Sequence, residues 1–313
     1  MIITEIYNGQ GLGNQLWCYT VTRAIAKANN YKFGIMHPER FKCLHFMNLD
    51  LGEPVIGGEG PESGPPTSLP EGIVNYYVEK NLVDPNYPTS DIRIYDHELM
   101  TVSDNTKIDG CMQDERYIIN YRDDIKEWLK VNNGKECLDY SDDNICVINF
   151  RGGEYVNNYH TFLPQSYWKN AIAHMRNKNP NFKFVVITDD VYTAKYFFPD
   201  FDVFHFDIGK DYSVINNAKY LIISNSSFAW FPTWTNDKLQ LCIAPKFWAR
   251  HNISIGFWTL GYALTYGQGK WLWQDREGQL SDFNACANEC NDYIINNKNL
   301  YTKYENLRLL PIL

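Results

Sequence analysis

From residue 145 to residue 245 the chain alternates short apolar runs with segments of helical periodicity, and few folds accommodate that alternation. The runs are Ile145–Phe150, 182–188, 203–206, Tyr220–Ile223 and 239–244. Helical segments begin near Pro164, pass through Tyr196 and Phe197, and cover 212–218 and 228–234. Each run is short and apolar through most of its length, as a strand buried on both faces must be. Strands separated by helices make a parallel, doubly wound sheet. The second half of the chain is therefore predicted to be α/β.

Ligands of such sheets bind beyond the carboxyl ends of the strands, so the residues that end these runs are the candidates. Arg151 follows the first run, Asp189 and Asp190 the second, and Ser224, Asn225, Ser226 and Ser227 the fourth. Arg151 carries a planar, permanently charged fork suited to a phosphate or a carboxylate. Gly152 and Gly153 let the backbone turn tightly beside it. An equally direct reading makes this a structural corner in which Arg151 pairs with Glu154. Ser226 and Ser227 offer hydroxyls and free backbone N–H groups at a helix start, before Phe228, which is an anion site or plain helix capping. Asp189 or Asp190 would accept hydrogen bonds from a base or ribose, or cap the next helix. In a parallel sheet all of these share one rim, and a nucleotide diphosphate is the ligand they suit together.

The first half is less regular. An opening strand over residues 1–7 breaks at Asn8-Gly9-Gln10-Gly11-Leu12-Gly13-Asn14-Gln15, and a helix to residue 30 follows. Gly9 and Gly11 fit the start of a dinucleotide fingerprint, but Asn14 stands at the third glycine position. No acidic residue follows at the ~20-residue spacing that would take a ribose hydroxyl. Nicotinamide chemistry is rejected on that ground. What remains is a polar cradle of Gly11, Gly13, Asn14 and Gln15 at a helix start. A strand over 73–78 and a helix bearing Tyr117, Ile118, Tyr121, Ile125, Trp128 and Leu129 on one face complete the reading. Eleven of the twenty-one residues from 52 to 72 are Gly or Pro, so that segment reads as a long loop. The polar segment 132–144 reads as a domain boundary. The expected division is 1–143, 144–265, and a C-terminal extension, 266–313, ending in a helix near 292–309 that packs back on the rest.

A net charge of −8 argues against a nucleic-acid partner. The eight cysteines are scattered without a CxxC pair, which reads as buried thiols in a reducing compartment. The N-terminus lacks the pattern of a signal peptide, and no apolar run approaches the ~20 residues of a membrane span. A cytoplasmic location is the expectation.

Several of the same stretches carry a family resemblance. Residues 11–16, Gly-Leu-Gly-Asn-Gln-Leu, resemble the opening motif of the α-1,2-fucosyltransferases, glycosyltransferase family eleven. Gly110-Cys-Met-Gln-Asp-Glu-Arg-Tyr117 resembles their Gly-x-x-Gln-x-Glu-x-Tyr segment, and Phe162-Leu163-Pro164-x-x-Tyr167-Trp168 a helix start. Residues 223–230, Ile-Ser-Asn-Ser-Ser-Phe-Ala-Trp, followed by Ile243-Ala244-Pro245-Lys246-x-Trp248, are the most specific match. The resemblance implies a GT-B-like fold, two Rossmann-like domains facing across a cleft, with GDP-fucose bound mainly by the second. It also implies inverting transfer of L-fucose to a glycan hydroxyl with no metal and no other cofactor. Arg151 and the Ser226/Ser227 helix start would then stabilise the departing diphosphate.

The resemblance departs at one place. Where the family usually has His-x-Arg-Arg-Gly-Asp-Tyr, this chain has Asn149-Phe150-Arg151-Gly152-Gly153-Glu154-Tyr155. A glycine replaces the second arginine, so another GDP-hexose or deoxyhexose competes with GDP-fucose as donor. Glu154 stands where the family has aspartate and is the candidate base, with Asp114 and Glu115 in reserve. The competing classes are a binding protein that has lost the chemistry and a sugar-nucleotide dehydrogenase or epimerase. The broken glycine pattern and the absence of a Tyr-x-x-x-Lys pair weigh against the last.

Overall fold

The computed structural model describes residues 1–58, 68–83, 91–93, 95–248, 251–252 and 269–296. Among these the chain divides into two compact units, Met1–Lys130 and the residues from Val131 to Asn296. The division falls at the start of the polar segment 132–144.

The first unit is built on a parallel sheet of β1 (Ile2–Glu5), β2 (Phe33–Met36), β3 (Asn75–Val78) and β6 (Thr106–Asp109), in the order β2-β1-β6-β3. A separate antiparallel pair, β4 (Asn81–Val83) and β5 (Asp91–Arg93), lies between β3 and β6 in the chain. Helix α1 (Leu12–Ala28) follows β1, and most of its residues are buried. Thr20 and Thr22 survive inside it because their hydroxyls donate back to the carbonyls of Leu16 and Cys18. The helix stops where Asn29 caps it through the carbonyl of Ile25 and Asn30 takes a left-handed conformation, φ 56°. The expected helix around Tyr117–Leu129 is instead two single helical turns and the short α2 (Arg122–Trp128). The described ends of the Gly/Pro-rich loop fold back on the sheet: Glu71 N–H donates to Ile56 O, and Val55 and Leu69 pack with Ile3, Met36 and Ile73. Its middle, 59–67, lies outside the described residues.

The second unit carries seven strands, β7 (Ile145–Phe150), β8 (Lys183–Thr188), β9 (Asp202–Phe204), β10 (Tyr220–Ile223), β11 (Leu241–Pro245), β12 (Trp271–Gln274) and β13 (Leu280–Ser281). Their order is β13-β12-β11-β10-β7-β8-β9, all parallel except β13. Between them run α3 (Gln165–Lys178), α4 (Val191–Phe197), α5 (Ile208–Asn217) and α6 (Ser227–Trp234), with α7 (Phe283–Asn296) after the last strand. The core that α3 builds with β7 and β8 is rich in aromatic rings, with Phe150 in contact with Phe162, Trp168, Phe197 and Phe198. The alternation over 145–245 is thus realised as α/β with a parallel sheet. One expectation is corrected: residues 271–281 are not an appended extension but add β12 and β13 to this sheet. The sequence disguised β12 because Trp271, Leu272 and Trp273 are as compatible with helix as with strand. The helix expected near 292–309 begins earlier, at Phe283, and 297–313 lie outside the described residues.

Among the described residues no helix is long and apolar enough to cross a membrane.

Candidate functional site

In both sheets the chain leaves a starting strand in two directions. In the second unit it runs from β7 outward through β8 and β9, then returns to lay β10, β11 and β12 on the other side of β7. The reversal lies between β7 and β10. Such a switch point opens a crevice at the carboxyl ends of the two strands, because their connections depart on opposite faces. Arg151 ends β7, and Asn225, Ser226 and Ser227 follow β10. Register confirms that they share the rim, since Asn149 pairs with Ile223 on one side and with Ile187 on the other.

Arg151 is already held. Its Nη1 donates to Asp189 Oδ2 at 2.5 Å and its Nη2 to Glu154 Oε1 at 2.8 Å. Its guanidinium lies 5.1 Å from the ring of Tyr155, and its buried Nε has no hydrogen-bond partner among the described residues. Gly152 N–H donates to Asp189 Oδ1, and Gly153 N–H to Asp190 Oδ2. Asp190 also caps α4, accepting from the backbone N–H and hydroxyl of Thr193, and these bonds hold its carboxyl below the usual range. The oxygens of Asp189 and Asp190 are therefore engaged within the protein. The glycines explain how the carboxylates come so close. A Cβ on Gly152 would lie 2.6 Å from Asp190 Cβ, and one on Gly153, at φ +49°, 2.7 Å from Asp189 Oδ2. The arginine found in the resembling family at position 152 has no room here.

On the other side of the switch point, Ser226 caps α6, its hydroxyl accepting from Phe228 N–H at 3.3 Å. Asn225 donates to Thr161 O, while its buried Oδ1 has no partner among the described residues. Ser224 donates to Asn149 Oδ1, fixing β10 to β7 at their ends. Farther along the rim, Lys246 pairs with Glu289 of α7. His251 is 1% exposed and neither ring nitrogen has a partner among the described residues. Burial, helped by the nearby Arg276 guanidinium, pushes its imidazole down to about 4. Sequence reading missed His251, since a lone histidine after a strand carries no pattern.

The first unit has its own switch point, between β1 and β6. Lys107, 1% exposed, donates to Glu5 Oε2 at 2.6 Å. His37 and Arg40 approach Glu5 Oε1 at 3.6 and 3.9 Å. Tyr7 and Tyr76 both donate to Asp109 Oδ2, at 2.8 and 2.6 Å. None of these residues was singled out from the sequence. The one usable signal was the alternation Ile3-Glu5-Tyr7, which places polar residues on one sheet face at a strand's end.

The candidates at the start of α1 divide. Gly11 is exposed and caps the helix with open space before it. Gly13 is buried in the first turn. Asn14 Oδ1 accepts from Gln113 Nε2 at 2.7 Å, so two stretches of the family resemblance meet. Gln15 is buried and bonds Arg40 O and Lys42 N, which sets the position of Arg40. Asp114 grips Arg116 with both oxygens, and Glu115 is buried.

No known family model matches the chain. Over 158 residues it is 30% identical to the α-1,2-colitosyltransferase of Escherichia coli, a match spanning 44% of this chain and 54% of that protein. It is 25% identical over 166 residues to the O-antigen biosynthesis glycosyltransferase WbnK of Escherichia coli, spanning 45% of this chain and 54% of the relative. The chain thus spans about half the length of the curated relatives it matches. Among solved structures, the α-1,6-fucosyltransferase NodZ soaked with GDP-fucose covers 81% of the chain at a TM-score of 0.43 and 14% identity. A family 9 glycosyl transferase from Veillonella parvula covers 83% at 0.40 and 12%. Likeness at this level speaks to neither substrate nor chemistry.

Proposed function

We propose that this chain is a nucleotide-sugar-dependent glycosyltransferase, transferring L-fucose from GDP-fucose to a glycan hydroxyl in α-1,2 linkage with inversion and without a metal. The observation that carries the reading is the switch point of the second sheet. There an arginine fork ends one strand and a serine-capped helix begins after its neighbour, which is the equipment a diphosphate needs. The similarity to an α-1,2-colitosyltransferase supports both the reaction class and the linkage.

The chemistry follows from the residues. The acceptor oxygen attacks the anomeric carbon as the bond to the diphosphate breaks, and the electron pair leaves with GDP. Arg151 and the N–H groups at the start of α6 stabilise that charge. Among the described residues the resting site sets Arg151 against the carboxylates of Glu154, Asp189 and Asp190. Glu154 is the partner free to leave, its side chain being 75% exposed. An arriving phosphate replaces Glu154 on Arg151, and the released carboxylate is then free to take the acceptor's proton.

A second donor has a specific observation in its favour. The closed space at Gly152 excludes a guanidinium that would contact phosphate or sugar, and colitose is 3-deoxy-L-fucose, with one hydroxyl fewer. The test is a thermal-shift panel of GDP-fucose, GDP-colitose and GDP-mannose, followed by transfer assays on simple glycosides. A specific donor raises the melting temperature by mass action. Arg151→Ala should weaken GDP binding ten-fold or more, as expected for a charged hydrogen bond of about 1.5–3 kcal/mol. Binding without transfer to any acceptor would favour a non-catalytic binder, and unchanged GDP affinity in Arg151→Ala would overturn the site.

A further inference from the structure

Lys246 leaves β11 on the rim that holds Arg151 and the start of α6. Register pairs Ile222 of β10 with Ile243 of β11, and the same register carried onward sets Lys246 level with Asn225. Ile243 packs into the core that α3 builds, so Cys242, Ala244 and Lys246 face the other side of the sheet. That side also carries α6. The chain steps from β7 to β8 through α3 and from β10 to β11 through α6, in opposite directions across the sheet. Right-handed crossovers then set the two helices on opposite faces. Neighbouring strands lie about 4.8 Å apart, so the stem of Lys246 is long enough to bring its ammonium to the N–H groups at which α6 begins.

The way the ammonium is held points to a ligand. A surface lysine runs its stem along apolar groups and keeps its charge in water. Here the order is inverted: the Lys246 side chain is 7% exposed, and that of its partner Glu289, on α7, is 48% exposed. Among the described residues the bond to Glu289 is the one hydrogen bond that the ammonium makes. It has further N–H donors to offer. A half-exposed carboxylate is screened by water and offsets little of the cost of burying the charge. It is also free to swing away. The diphosphate cradle, meanwhile, is short of positive charge. Position 152, which holds a second arginine in the family the sequence resembles, is a glycine with no room for a side chain beside Asp190. Arg151 is shared between Asp189 and Glu154.

We propose that Lys246 is a second cation for the donor diphosphate, meeting it beside the start of α6, and that Glu289 is the counter-ion it gives up when the donor arrives. The identity of the anion as a sugar nucleotide rests on the glycosyltransferase reading; the binding of a diphosphate through Lys246 does not.

The test uses the full chain, with calorimetric titration of GDP and inorganic pyrophosphate and saturation-transfer NMR for guanosine. Lys246→Met, which keeps the stem and removes the charge, should weaken GDP and pyrophosphate ten-fold or more and leave guanosine unchanged. Lys246→Arg should retain most of the affinity. Glu289→Gln, at an exposed position and mild for folding, should tighten GDP a few-fold and lose that gain when combined with Lys246→Met. In transfer assays Lys246→Met should lower kcat at saturating substrates and leave the acceptor KM within a few-fold. Unchanged GDP affinity in Lys246→Met would overturn the proposal, as would GDP binding no tighter in Glu289→Gln. An equal loss of guanosine would do the same, since it marks a staple between α7 and the sheet. Pyrophosphate binding that depends on Lys246, without turnover of any sugar nucleotide, would instead sink the glycosyltransferase reading alone.

Discussion

The two sheets place different chemistry at the same topological position. At the β1/β6 reversal the charges cancel, the lysine is buried against its carboxylate, and two phenols support a third group. At the β7/β10 reversal Arg151 is held by surrounding carboxylates, and among the described residues its Nε and the buried Oδ1 of Asn225 are without partners, as is the imidazole of His251 farther along the rim. A crevice at strand ends follows from topology and is available in any doubly wound sheet. Its use depends on which side chains end the strands. A balanced, largely satisfied network leaves little net charge for an ionic ligand. A rim with unmet hydrogen-bonding capacity and one displaceable carboxylate suits an ion that brings its own charge.

The sharpest way to break this contrast is to disturb the pair at the first reversal. Lys107→Ala strips buried Glu5 of its 2.6 Å partner, leaving Arg40 at 3.9 Å and His37 at 3.6 Å, and should cost up to about 3–5 kcal/mol of unfolding free energy. Glu5→Leu combined with Lys107→Met should recover most of that loss, measured by denaturant titration. A loss near zero in the single variant would mean that the pair is not buried in solution.

The unpaired His251 should behave in the opposite sense. Its folded pKa, about 4, lies below the ordinary 6.5, so the unfolded chain binds more protons between those values. Stability is then fully retained above pH 6.5 and declines as pH falls towards 4, by up to about 3 kcal/mol at 1.36 kcal/mol per unit. His251→Phe should flatten that part of the melting-temperature profile. An unchanged slope would assign the pH dependence to other groups.

Gly152→Arg, which puts the second arginine of the α-1,2-fucosyltransferase pattern into this chain, forces a side chain into the space of Asp190. It should destabilise the fold by about 1–3 kcal/mol without tightening GDP. Tighter donor binding at an unchanged melting temperature would show that the carboxylates yield easily. The smallest expected effect is that of Glu154→Gln. Removing a competing charge from Arg151 should strengthen GDP binding a few-fold, well under about 1.4 kcal/mol, while turnover falls. Unchanged turnover would make Glu154 a purely architectural partner.

Much of the second sheet was legible because burial on both faces leaves a local signature. Runs such as Cys146–Val147–Ile148 and Leu221–Ile222–Ile223 are apolar wherever they pair. The first sheet was harder to read, since β6 holds Lys107 and Asp109 and has Ile108 as its one apolar residue. Such a strand is recognisable only once its partners are known. The same limit hid β12, whose tryptophans join the sheet by pairing with β11.

The sequence alone determined which residues end the strands of the second half, and hence that Arg151, Asp189, Asp190 and Ser224–Ser227 share a rim, because side-chain periodicity is a property of neighbours in the chain. Only the tertiary structure decided what those residues touch. That Arg151 meets Asp189 across 38 positions, and Lys107 meets Glu5 across 102, depends on strand order and register. Order and register are set by long-range closure and core packing, which no local pattern records. The location of both switch points, between β1 and β6 and between β7 and β10, belongs to the same class of fact.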